Sequence, residues 1–266
     1  MNTRLHGGPL AKAQQPFHLR RRQQLLDERY ARAYLSYYSE EVQELEASFF
    51  SEEQTPENRV RLMHMVADTR FEIWCVRFTA GGKIPDLREE FGIVVDGYLL
   101  AAQHEREIEN EPALPWFDFK HLDDYQRLLS LLSLAILLHR EDLIPAVHSL
   151  FKGGEPDEED ALEEDLLGKY VPGRPILDVW YHDMPYRHLL DVTAQTPANE
   201  KLEDLKKYLK AWYKGMAPTG WYDSHKNQTR KGGGDTSATG PSRPRRSRIF
   251  MTSMTPPLST WCIRKI

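Results

Sequence analysis

The chain has 266 residues, 40% of them hydrophobic and 28% charged, with a formal net charge of −5. That length and apolar content suffice for a buried core and exclude a wholly disordered chain. No run of about 18 apolar residues is present, so no membrane span is expected.

The opening MNTRLHGGPLAKAQQPFHLRRRQ has no apolar stretch of the kind a signal peptide needs. Two cysteines, Cys75 and Cys262, are too few for a disulfide framework, so a reducing cytoplasm is the expected compartment. Charge is unevenly placed. Residues 231–266 hold seven Lys/Arg and one acid (+6), which leaves 28 bases against 39 acids in the rest (−11). A body of that sign repels nucleic acid and attracts a basic partner.

Helix signals follow one another along the chain. From Pro16 to Phe50, the residues Leu19, Leu26, Tyr30, Ala33 and Tyr37 recur near the helical period and predict one face of a helix. At TPENRV, Thr55 can cap a second helix, Pro56 suits its first turn and Glu57 favours its dipole. That helix carries Val60, Met63, Ala67, Trp74 and Phe78 inward and stops at Gly81-Gly82. A third, about 86–109, points Leu87, Phe91, Val94, Tyr98 and Ala102 inward. Pro112 and Pro115 then break the pattern and mark the best domain boundary.

Beyond it, Asp118 is expected to cap a helix of Leu122, Tyr125, Leu129, Leu132 and Ile136, whose LLSLLSLAILLH run reads as a buried core helix. A short helix over 142–151, an acidic one ending near Gly168, the PYRHLLDVTAQ segment and a helix opened by Thr196-Pro197 complete the set. No run of alternating β-branched residues appears. The prediction is an all-α fold, a bundle of antiparallel helices in two packed parts: residues 17–111, residues 116–229, and a tail over 230–266.

The tail has none of this organisation. A disordered basic tail is one reading. The other is a shifted reading frame beginning near Gly232–Gly234. One base out of register, Met251-Thr252 and Met254-Thr255 must each encode aspartate and Trp261-Cys262 must encode valine, and the remaining positions permit a helical, partly acidic string.

Candidate sites are few. Glu155, Asp157, Glu158, Glu159, Asp160, Glu163, Glu164 and Asp165 crowd eight carboxylates into eleven positions. They form either a solvated face or a surface for a basic partner; Asp123-Asp124 and Glu89-Glu90 are weaker versions of the same signal. His182, Asp183 and His188 invite a metal reading, but six residues and Pro185 separate the two histidines, which matches no common zinc spacing. A structural cluster of aromatics and capping groups is the alternative. No phosphate-binding loop, nucleophile elbow or His-Glu-x-x-His is present, so no catalytic residue, metal or cofactor is predicted.

The stretches LPWFDFKHLDDYQRLLSLLSLAILL and LKKYLKAWYKGMAPTGWYDSHKN resemble the PoNi-type immunity proteins. In that family a Trp-Tyr-x-x-His stretch precedes Gly-Tyr-Trp-x-x-Glu-Ala-Ala and an ending like Tyr-Pro-x-Asp. Here Trp221, Tyr222, Asp223, Ser224 and His225 match the first part, and the second is found only in the shifted frame. Residues 17–110 resemble the helical N-terminal domain of the same family. The resemblance implies an all-helical, non-enzymatic protein that neutralises a PoNe toxin, a DNase delivered between competing bacteria, often by type VI secretion. It makes the acidic stretch of residues 155–165 the candidate toxin contact. An acidic helical adaptor for another basic protein and, more distantly, a metal-dependent hydrolase are the rival readings.

Overall fold

The computed structural model describes residues 15–24, 26–49, 51, 53–151, 160–193, 197–220 and 222–223. Thr55 caps helix α3 (Pro56–Thr79): its Oγ1 accepts the Asn58 backbone N–H at 3.2 Å, and Pro56 occupies the first turn, where no donor is needed. Ahead of it lie α1 (Phe17–Arg20) and α2 (Glu28–Phe49). After it come α4 (Ile84–Glu109), α5 (Leu122–Leu137), a single 3₁₀ turn (Glu141–Leu143) leading into α6 (Ile144–Ser149), α7 (Ala161–Leu167), α8 (Asp183–Thr193) and α9 (Ala198–Gly215). Among the described residues there is no strand, so the fold is an all-α helical bundle.

The first helical segment departs from expectation. The chain leaves helical form between α1 and α2, and the buried face of α2 runs through Ala31, Tyr34, Tyr38 and Val42. Leu19 and Ala33 are exposed, and Tyr30 and Tyr37 only half-buried. The break has a use. Arg22 donates its backbone N–H to Thr79 O at 2.7 Å and its Nη2 to Gly82 O at 2.8 Å, satisfying carbonyls at and just past the end of α3. Gly81, at φ +86°, lets the two segments touch; a Cβ there would lie 2.0 Å from Arg20 O.

Asp118 is not the cap of α5. His121 holds that position, while Asp118 Oδ1 accepts the Lys120 N–H at 2.8 Å and steadies the turn before it. The α5 helix is buried on nearly all sides, as its apolar run requires.

Helices α2, α3 and α4 pack in sequence. Trp74 stacks on Phe78 and donates its indole N–H to Leu87 O at 2.8 Å. The connection at 110–121 does not interrupt the core. Phe117 and Phe119 are buried within it, Phe119 stacks on Phe151, and one continuous cluster joins Phe71, Leu87 and Tyr98 to Leu128, Tyr186 and Trp212. Arg106 of α4 donates to Leu114 O and Ser149 O, both at 2.8 Å, which binds this connection and the end of α6 to the first part.

Helices α8 and α9 form the tightest late pair. Gly215 permits it: a Cβ there would meet Pro185 Cβ at 2.7 Å. Among the described residues, no helix is long and apolar enough to cross a membrane.

Candidate functional site

Between α7 and α8 the chain makes a long loop, residues 168–182, and side chains rather than helix packing hold it in place. Asp160 is central. As the N-cap of α7 its Oδ1 accepts the N–H groups of Leu162 and Glu163, both at 3.0 Å, and the Tyr125 hydroxyl at 2.9 Å. Its Oδ2 accepts the Tyr181 N–H at 3.0 Å, and Ala161 N–H donates to Val179 O at 2.8 Å. One carboxylate thus fixes the start of α7 and the return of the loop. His182 Nε2 donates to Phe119 O at 2.7 Å and anchors the loop's last residue to the core.

Two further acids lie inside. Glu163 is 2.7 Å from His148 Nδ1, and Glu164 pairs with the Arg174 guanidinium of the loop. Asp160 and Glu163 are both 0% exposed. Burial pushes the Asp160 carboxyl above the ordinary range against the pull of its four donors, and burial likewise raises Glu163 against the opposing effect of His148.

The eight crowded carboxylates therefore have three fates. Asp160, Glu163 and Glu164 are buried and bonded internally, so they form no exposed acidic face and the surface role expected of them does not fit their position. Asp165 is half-buried and accepts the Thr193 hydroxyl. Glu155, Asp157, Glu158 and Glu159 lie outside the described residues. Of the weaker acidic pairs, Glu90 meets Arg77 at 2.6 Å, Asp124 accepts the Asp118 N–H and Asp123 the Gly220 N–H at 3.2 Å, while Glu89 is exposed.

What the anchored loop presents is apolar. Ile176 is 98% exposed and Val179 63%, with Met184 also exposed at the start of α8. They adjoin a groove of about 420 Å³ between the loop, α7 and α8, lined by Ile176, Trp180, Arg187 and Leu190 with Asp165 and Asp191. Arg187 lies over the Trp180 ring at 5.4 Å and donates to Asp183 Oδ1 at 3.1 Å, so this cation is already neutralised within the surface. Asp178, Asp183 and Asp191 are exposed on the same stretch. The sequence signal was available: PILDVWYHDM carries five large apolar residues, Ile176, Leu177, Val179, Trp180 and Met184, with no helical period in a segment rich in Pro and Gly, a pattern that packs poorly into a core.

His182, Asp183 and His188 do not converge. His182 is turned to Phe119 O, Asp183 to Arg187, and His188 to Asp191. In the family motif, Tyr222 packs on Tyr213 with ring centres 4.8 Å apart, and Asp223, at φ +56°, accepts the Tyr213 hydroxyl at 2.5 Å. These two residues close the end of α9. Trp221 and His225 lie outside the described residues, as does the whole of 230–266 with its proposed change of frame.

Residues 158–233 match the family of PoNe immunity proteins (PoNi), C-terminal. The PoNi match takes in α7, the anchored loop, the groove, α8 and α9. The fold as a whole is similar to that in the crystal structure of protein PA2201 from Pseudomonas aeruginosa, over 90% of this chain and 84% of that one, with a TM-score of 0.61 and 14% identity. At that identity the likeness speaks for the fold alone. No curated protein matches the chain.

Proposed function

We propose that this protein is an immunity protein that binds a cognate PoNe-type DNase in the cytoplasm and blocks its active groove without chemistry of its own. The PoNi match over 158–233 carries the reading. Charge supports it: a nuclease must offer a basic, phosphate-seeking groove, and the chain outside residues 231–266 has a formal charge of −11, 28 bases against 39 acids. Opposite fields of this kind speed encounter and exclude wrong partners more than they add affinity.

Affinity needs desolvated anchors, which are commonly aromatic or large apolar side chains. Ile176, Val179 and Trp180 supply them beside the groove. The toxin contact in this proposal joins these residues to the acids around them, Asp165, Asp178, Asp183 and Asp191, and to the preceding Glu155, Asp157, Glu158 and Glu159. Asp160, Glu163 and Glu164 act from inside by holding the loop.

Co-expression tests it. Cells producing a PoNe-type DNase should survive when this protein is present, and the two should co-purify. Protection should fail with Ile176→Asp combined with Trp180→Ala, while the double variant keeps its helical circular dichroism. Survival unchanged by that variant would move the contact elsewhere; absence of both protection and co-purification against toxins encoded beside the gene would contradict the proposal.

A further inference from the structure

Helices α8 and α9 bring together three side chains that the loop anchorage does not use, one of which, Asp191, also borders the groove. An imidazole nitrogen of His188 and carboxylate oxygens of Asp191 and Asp204 all lie within 4.8 Å of one another. His188 and Asp191, three residues apart on α8, share one helical face, and Asp204 meets them from α9. The residue types are metal-ligating, and they come from two elements.

The detail that needs explaining is His188 Nδ1. The atom itself is closed off from solvent, though the side chain is 32% exposed, and its contact with Asp191 Oδ2 at 3.4 Å is an ion-pair distance without a hydrogen bond. A buried polar nitrogen without a partner is costly. A bare imidazole nitrogen and a carboxylate oxygen repel each other at that separation, so a proton or a metal cation must lie between them. The separation also matches two ligands on one tetrahedral ion: bonds of about 2.0–2.1 Å give a ligand–ligand edge of about 3.4 Å.

We propose that His188, Asp191 and Asp204 bind one first-row divalent cation, Zn²⁺ by donor type, as a clip between α8 and α9, with water in the fourth position. One imidazole and two carboxylates suit Zn²⁺, whereas Mg²⁺ and Ca²⁺ favour all-oxygen sites. Lys207 Nζ donates to Asp204 Oδ1 at 2.7 Å, an ion pair with an exposed lysine that the metal has to displace. Leu189, Val192 and Leu205, each next in sequence to one of the three ligands, belong to the core. A cation that binds the assembled helix pair and not the unfolded chain raises stability by mass action.

The test is a titration of the full chain, freed of metal by chelation, with Zn²⁺ followed by calorimetry and with Co²⁺ followed by visible absorption. One equivalent is expected, together with a rise in melting temperature that chelator reverses. Asp204→Asn, which keeps the shape of the side chain, and His188→Ala should each weaken binding by at least about tenfold and remove the thermal shift. Asp204→Asn keeps the test decisive if the histidine variant fails to fold. No stoichiometric binding would overturn the proposal. So would equal binding by parent and Asp204→Asn, which would place the metal on other surface histidines.

Discussion

Helices α2 to α4 and the α7–α8 segment are built on different terms. In the first, long helices meet along apolar faces with a few polar bridges between them, such as Tyr34 to Glu72 and Tyr98 to Asp68, and Thr55 and Arg22 finish the ends of α3. In the second, α7 has seven residues, of which Leu162, Leu166 and Leu167 reach the core, and the loop after it has fifteen, so packing has little regular structure to act on. There Asp160, Glu163 and Glu164 serve instead, each buried and each bonded to a different element. A protein that must present an exposed apolar loop cannot also bury that loop, so directed bonds from behind replace contact from within. Removing one partner of such a bond leaves a desolvated charge, which makes these carboxylates more sensitive to substitution than their charge run suggests.

The contrast can be broken from either side. Trp74→Ala, in the packing-driven region, should cost the most, about 3–5 kcal/mol in denaturant melts, through the cavity left between α3 and α4. Asp160→Ala should follow at about 2–4 kcal/mol, from loss of a helix cap and of the Tyr125 and Tyr181 bonds. Its distinguishing mark is proteolysis within 168–182 under conditions where α2–α4 stay protected. Equal protection of both regions would mean that the loop does not depend on Asp160.

A smaller effect separates charge from shape. Burial raises the Glu163 carboxyl, so the folded chain holds that proton more tightly than the unfolded one. The contribution of this group is therefore present below its unfolded value and lost as pH rises through its folded one. Melts of parent and Glu163→Gln at pH 7 and pH 5 should show the difference moving in the parent's favour at pH 5. A constant difference would mean that the carboxyl titrates as it does in the unfolded chain. Smallest for stability is Ile176→Asp: with a side chain already 98% exposed, it should change the unfolding free energy by no more than about 0.5 kcal/mol while weakening toxin binding, measured by calorimetry.

The sequence announced what depends on period and local chemistry. The cap at Thr55, the stop at Gly81-Gly82, the inward face of α4 and the buried run of α5 all follow from residues within a turn or two of one another. The phase of α2 was harder, because Tyr30, Tyr34, Tyr37 and Tyr38 cover adjoining faces and only docking on α3 decides which are buried. The buried acids were not legible locally. Their partners lie far along the chain: Arg174 is 10 residues from Glu164, His148 15 from Glu163, Tyr181 21 and Tyr125 35 from Asp160. A run of Asp and Glu reads as a solvated face until the fold supplies those partners. The loop at 168–182 left only an indirect mark: apolar residues without a helical period beside Pro and Gly, a pattern that signals poor packing but not what holds the loop in place.

The central claim, a helical protein that silences a nuclease by occupying its groove, is met most directly by titrating a purified PoNe-type DNase with this protein and following DNA cleavage. Cleavage should fall linearly and vanish near one equivalent, with less inhibition as salt is raised and the charged encounter is screened. Full cleavage in the presence of a tight one-to-one complex would contradict the account.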